Sequence, residues 1–458
     1  NIRAAIATQS DGGSDLLVRE TVDSPWDIWR HWEPDDNGYI SHFSADGNIL
    51  YLIDNYEANT KHLVALDIKT REETVIATDD RYDLDRVFVH PVTRKVQAVG
   101  IYRDKLEWQV LDEDIAPDFE ILQQLRRGEF SVVSRDLEDT TWLVAYVTDD
   151  GPVYYYTYDR ATQTPKLLFS HRPELEDLPL VPMEAIAFES RDGLTIEGYL
   201  TLPTGGETPV PTVLLVHGGP WSRDTWGYNS RVQWLANRGY AVLQVNFRGS
   251  EGYGKAFLNA GNREWAAKMH DDLIDAVEWI VIQGISDRHR IAIMGTSYGG
   301  YAALVGLTFT PEVFACGVDI VGPSNLITLL RTIPPYWSSR LAIFYHRMGN
   351  LETEEEFLRS RSPLFFCDRI QKPLLIGQGA NDPRVKQAES EQIVEAMKQA
   401  GKPVEYVLYT DEGHGFVRPP NRLHFYAIVE EFLSRHLGGQ YEPMGNIIGH
   451  SGIVRQLY

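Results

Sequence analysis

The stretch "IAIMGTSYGGYAAL", residues 291–304, sets one hydroxyl, Ser297, among Gly295, Gly299 and Gly300, between an apolar run and a helix-like run. Packing alone would favour valine or alanine there, so the small residues point to a backbone bent too sharply for side chains. G-x-S-x-G at a strand-to-helix junction holds a serine in a strained turn with its oxygen exposed above a sheet. A serine hydroxyl is a poor nucleophile until a neighbouring base takes its proton. Downstream, "PLLIGQGANDPRV" ends a strand with Asp382, and "EYVLYTDEGHGF" ends the next with His414. This is the chain order Ser, Asp, His that such a turn calls for. Of the thirteen histidines, His414 is the one at a strand end with glycine on each side. His424 and His436 fall in the last helix, and His270 and His289 flank an earlier one. Ser297 is therefore expected to attack, His414 to act as base, and Asp382 to orient the imidazole. Asp411, three residues before His414, is a local alternative for the orienting carboxylate. A tetrahedral oxyanion also needs donors: the backbone N–H of Tyr298 and, from the loop "VLLVHGGPW", that of Gly219.

The elements that would position these residues change rhythm along the chain. Up to about residue 180, short runs such as "NILYLIDN", "HLVALDIKT", "KVQAVGIY" and "TWLVAYVTDD" read as strands separated by turn residues. They group in units of about 45 residues, the spacing of propeller blades. One short helix is expected near "FEILQQLRR". About three complete units and an opening remnant occur in residues 1–180, expected as three to four blades, whereas propellers close with 4 to 8. From about residue 181 to 440, continuous apolar strands alternate with amphipathic helices, the pattern of a mainly parallel, eight-stranded α/β sheet covered on both faces. Residues 441–458 read as a tail. Ligands of such sheets lie at the carboxyl ends of the strands, where all the residues singled out above fall.

The formal charge is −22, with 35 acidic and 18 basic side chains in residues 1–180 against 30 and 25 thereafter. Such a field repels nucleic acid and anionic membrane, and no apolar run approaches the roughly 20 residues that span a bilayer. Two cysteines, Cys316 and Cys367, lack metal or redox spacing, which fits a cytoplasmic location. No H-E-x-x-H or clustered ligand set occurs, so neither metal nor cofactor is expected. The incomplete propeller, and a first residue that is Asn, lead to the expectation of a longer parent chain with a further propeller segment. The alternative is a homo-oligomer that covers the open sheet edges.

Taken together, "HGGP", "NFRGSEGYG", "GTSYGGYA", "GANDPRV" and "DEGHGF" resemble the α/β-hydrolase domain of the prolyl oligopeptidase family of serine peptidases. The resemblance covers residues 183–440, and the propeller half by rhythm only. Within the family the chain looks closest to the acylaminoacyl-peptidase branch. The prolyl oligopeptidase and dipeptidyl peptidase branches carry a tyrosine where His217 stands, so the resemblance implies an oxyanion hole built wholly from backbone and argues against strict proline specificity. It also implies an apolar substrate pocket with Tyr336, Trp337 and Val385 among its walls, although plain core packing would account for the two aromatics equally well. Arg248 and Glu251 are expected to brace the loop beside the site. The paired glutamates Glu72 and Glu73 resemble an amino-terminus anchor only superficially, since "TREETV" reads as a blade turn. The expected function is hydrolysis of short peptides through an acyl-enzyme. A carboxylesterase with the same triad is the alternative, and a binding protein on a hydrolase scaffold is a third reading.

Overall fold

The computed structural model describes residues 2–205 and 207–457. It divides into two compact units: 1–183 with 225–229 and 251–259, and 184–224 with 230–250 and 260–458.

In the first unit, strands pair with their neighbours in sequence into four antiparallel sheets. Three strands (Ala4–Thr8, Ser14–Val18, Asp27–Trp32) form the first, and four between Gly38 and Ala77 form the second. The third has three strands, from Leu84 to Val110, and the fourth has four, from Glu129 to Ser170. After the third sheet the chain turns into the helix Ala116–Leu125, where the sequence anticipates one. Its buried Phe119 and Leu122 share one cluster with Phe88, Phe130, Trp142 and Tyr158, so this helix joins the cores of two successive sheets. Glu73 opens the last strand of the second sheet and pairs with the buried Arg30, which also pairs with Asp54. The "TREETV" segment thus serves the packing of the blades.

The second unit is built on one nine-stranded sheet. Its strands are β1 (Met183–Glu189), β2 (Thr195–Thr201), β3 (Val210–Val216), β4 (Ala241–Asn246), β5 (Ser286–Thr296), β6 (Cys316–Ile320), β7 (Leu374–Gly379), β8 (Val404–Tyr409) and β9 (Gly452–Leu457). They lie in the order β1-β2-β4-β3-β5-β6-β7-β8-β9. Pairing is parallel from β4 through β8 and antiparallel at β2–β4 and β8–β9. Every residue of β3, β4, β6 and β7 is buried, which explains why their sequences are mostly apolar and do not alternate with polar residues. The helices that matter below are α1 (Ser230–Asn237), α2 (Lys268–Ile282), α3 (Tyr298–Phe309), α4 (Gln387–Gln399) and α5 (Pro419–Leu433). One difference from the sequence reading stands out: the ninth strand comes from the segment read as a tail. Its six residues are too few and too mixed to signal a strand alone, and the ladder with β8 decides the matter.

Candidate active site

The site begins where β5 hands over to α3. Ser297 sits between them with φ 63° and ψ −118°, a left-handed conformation that costs a non-glycine residue on the order of 1–3 kcal/mol. The flanking glycines make this turn sterically feasible. A Cβ on Gly295 would lie 2.5 Å from the carbonyl carbon of Gly299, and one on Gly299 would lie 2.1 Å from the carbonyl oxygen of Val216 at the end of β3. A Cβ on Gly300 would strike Asp319 of β6 at 2.2 Å. Strand, helix and neighbouring strands therefore approach backbone to backbone. The Ser297 N–H donates to Ile320 O at 2.8 Å, fastening the turn to β6.

The same carboxyl edge continues through the loops after β7 and β8. Val321 N–H bonds Gly377 O at 2.9 Å, Ala380 N–H bonds Tyr409 O at 2.9 Å, and Asn381 N–H bonds Glu412 O at 2.8 Å. Asp382 is buried in this row. Its Oδ1 accepts the N–H groups of Arg384 (2.8 Å) and Val385 (2.9 Å), and its Oδ2 accepts His414 Nδ1–H at 2.7 Å. With Nδ1 donating, Nε2 of His414 is the ring nitrogen left to accept a proton. Asp411 instead takes Arg418, Asn421 and Ser451 as partners and leaves His414 to Asp382. No hydrogen bond joins Ser297 Oγ to His414 among the described residues. In unliganded hydrolases this contact commonly tightens only with substrate bound.

Against the serine turn lies the His217-Gly218-Gly219 loop. A Cβ on Gly218 would sit 3.1 Å from Thr296 O and 3.6 Å from Ser297 Cβ, and Gly219 has φ +120°. Tyr298 opens α3, so its N–H lies ahead of the first intrahelical bond, which runs from Tyr301 N–H to Ser297 O at 3.0 Å. His217 stacks on Phe247 with centroids 4.5 Å apart, and its Nδ1–H donates to Gly218 O at 2.8 Å. Burial holds its pKa below the usual histidine value. Arg248 is locked between Asp192 and Asp272 by charged hydrogen bonds of 2.7–2.9 Å, which fixes the loop after β4.

Of the three pocket candidates, Val385 is buried and Trp337 partly so, while Tyr336 is 59% exposed. The Arg384 guanidinium lies 5.4 Å from the Trp337 ring centroid, which brings that ring to the Asp382 loop. Phe344 stands 5.9 Å from Trp337 and 5.6 Å from Trp221, the second residue after Gly219. An aromatic row thus runs from the acid loop to the glycine loop. Trp221 and Phe344 carried no signal in the sequence, because only the fold places them beside Trp337.

The Prolyl oligopeptidase family matches residues 226–440. Dipeptidyl aminopeptidase BIII of Pseudoxanthomonas mexicana is 51% identical over 99% of this chain and 67% of its own length. The chain belongs to the prolyl oligopeptidase family of serine peptidases. Dipeptidyl peptidase family member 6 of Caenorhabditis elegans is 41% identical over 97% of the chain and 65% of its own length. The chain therefore spans about two thirds of the length of these two relatives. Among solved structures, a puromycin-hydrolyzing peptidase of Mycobacterium tuberculosis has the same fold, with a TM-score of 0.80 at 23% identity over 97% of this chain and 71% of that one. These likenesses bear out the family resemblance and the architecture of blade-like sheets followed by an α/β-hydrolase unit.

Within this family member, the sequence reading overlooked the residues that hold the His414 loop. Glu412 is buried and accepts from Val417 N–H (3.0 Å), Arg418 N–H (2.9 Å) and Asn421 Nδ2 (2.8 Å). Its place inside "DEGHGF" was visible, but its partners were not. Asp319, buried under the serine turn, was hidden in the apolar run "FACGVDIVG". Among the described residues no cluster of His, Cys, Asp and Glu is arranged to hold a metal, and no helix is long and apolar enough to cross a membrane.

Proposed function

We propose that the chain hydrolyses short peptides through an acyl-enzyme formed on Ser297. The observation that carries this reading is the 2.7 Å bond from His414 Nδ1 to Asp382 on the same sheet edge as the strained turn at Ser297. His414 Nε2 takes the proton of Ser297 Oγ as the oxygen attacks the scissile carbonyl, and Asp382 stabilises the imidazolium that results. The N–H groups of Tyr298 and Gly219 receive the oxyanion. The imidazolium then protonates the leaving amine, and water deacylates the enzyme by the reverse proton path. Val385 and Trp337, together with Trp221 and Phe344, wall the apolar side of the cleft. The names of the two relatives described above support release of dipeptides from a free amino end. Cys316 and Cys367 are both free, which suits a cytoplasmic location.

A dipeptidyl anilide with a free amino group should be cleaved faster than its N-acetylated form. Ser297→Ala should abolish both turnover and labelling by a fluorophosphonate. Turnover that survives Ser297→Ala would reject the serine mechanism, and activity confined to p-nitrophenyl esters would reject the peptidase reading in favour of an esterase.

A further inference from the structure

The segment that ends in β9 reaches back to the loop that carries His414. Three contacts make the connection. The ring of His450 stacks on His424 of α5, with centroids 3.7 Å apart and planes 8° from parallel, and His424 Nδ1 is hydrogen-bonded to Tyr409 Oη, at the end of β8, at 2.8 Å. Ser451 N–H donates to Asn421 Oδ1 at 2.8 Å, and Ser451 Oγ–H donates to Asp411. Asn421, fully buried in the first turn of α5, uses its two amide hydrogens on Asp411 Oδ1 (2.9 Å) and Glu412 Oε1 (2.8 Å). Asp411 and Glu412 are the two residues that begin the loop Asp411-Glu412-Gly413-His414. Glu412 then spans that loop to the backbone N–H groups of Val417 and Arg418, and its carbonyl receives Asn381 N–H beside Asp382. Both ends of the His414 loop are therefore held by one polar hub, and the segment before β9 closes it.

We infer that Asn421 and Ser451 are positioning residues for His414, and that the segment before β9 acts as a latch holding the imidazole in line with Ser297. The inference rests on reading His414 as the base. A hub serving stability alone would need no connection to this loop in particular. Here every side-chain bond of Asn421 and Ser451 ends on one of the two residues that begin the loop, or on the other of the pair. Asp411 responds to the same contact: the Ser451 hydroxyl, followed by Asn421 and Arg418, holds its carboxyl below the usual range. Arg418, which also pairs with Asp411, is the cation on the hub among the described residues, and Tyr409, His424 and His450 are titratable groups packed beside it.

The test compares Ser451→Ala, Ser451→Thr and Asn421→Ala in the full chain, with Ser297→Ala as control. Displacing a catalytic group by about 1 Å can cost on the order of a hundredfold in rate. Ser451→Ala and Asn421→Ala should lower kcat roughly ten- to a hundredfold with KM little changed, and should slow fluorophosphonate labelling of Ser297 in parallel. Ser451→Thr, which keeps the hydroxyl, should restore both. Wild-type kcat and labelling rate in Ser451→Ala would overturn the latch, as would an equal loss in Ser451→Thr. Should Asn421→Ala fail to fold, the Ser451 pair decides alone. Turnover surviving in Ser297→Ala would instead reject the mechanism on which the latch depends, so the two failures are told apart.

Discussion

Asp382 is held by its neighbours in the orientation that the proposed mechanism requires of it. Two backbone N–H groups occupy Oδ1 and fix the carboxylate plane, leaving Oδ2 for the imidazole. Asp382→Asn would keep the shape of that group, but with its oxygen on the two backbone N–H groups it would present an amide N–H to Nδ1, favouring the tautomer that carries its proton on Nε2. Such a ring cannot accept the serine proton. We expect kcat to fall about 10⁴-fold with KM nearly unchanged, measured with a dipeptidyl anilide at pH 8. A loss below tenfold would mean that Asp382 does not orient the base. At this scale the sequence was legible wherever chemistry and backbone geometry act within a few neighbours, as in the glycines around Ser297. It was mute wherever a role arises from segments that meet only in the fold. Asn421 and Ser451 lie thirty residues apart, and neither has an unusual neighbour in sequence. Tyr336 shows the converse: an aromatic in a promising segment that the fold leaves largely exposed.

At the scale of elements, the serine turn depends on β6 beneath it. Asp319, near the end of that strand, is fully buried. Its Oδ1 accepts Gly322 N–H at 2.8 Å, and its Oδ2 has no partner among the described residues. Burial pushes its carboxyl up to about 8. Tyr406 of β8, whose hydroxyl is likewise buried without a partner, faces it electrostatically. The unfolded chain releases the Asp319 proton near its ordinary value of about 3.9. Between that pH and 8 the unfolded state binds fewer protons than the folded one, so stability falls as pH rises through the window and levels off above it. The slope approaches about 1.4 kcal/mol per pH unit at most. Asp319→Asn cannot ionise and keeps an oxygen for Gly322 N–H, so its unfolding midpoint should fall less between pH 5 and 8 than that of the parent chain. Parallel midpoint curves from urea titrations at pH 5, 6.5 and 8 would refute this. The elements themselves were mostly readable, because strands buried on both faces and amphipathic helices have different periods. β9 was not, since its stability comes from pairing with β8 and not from its own residues.

Over the whole molecule, the chain divides into two compact units, and the acidic excess falls on residues 1–180. The strand rhythm of residues 1–170 was legible because each sheet is made from consecutive strands, so that local pairing and sequence order coincide. The core that knits the last two sheets together is aromatic. Trp142 is fully buried, lies 5.5 Å from Phe88, 6.0 Å from Phe119 and 6.0 Å from Tyr158, and donates through Nε1 to Asp139 at 2.7 Å. Trp142→Ala would empty that space and leave Asp139 short of a donor, a loss of about 3–5 kcal/mol. None of these partners belongs to the sheet that carries Ser297, Asp382 and His414. The variant should therefore lower the unfolding temperature of the first unit. Below that temperature, the fluorophosphonate labelling rate of Ser297 should remain that of the parent chain. Calorimetry and labelling on the same preparation check this together. If labelling falls at temperatures where the first unit is still folded, the serine site draws on the blade core directly and the two cores are not energetically separate.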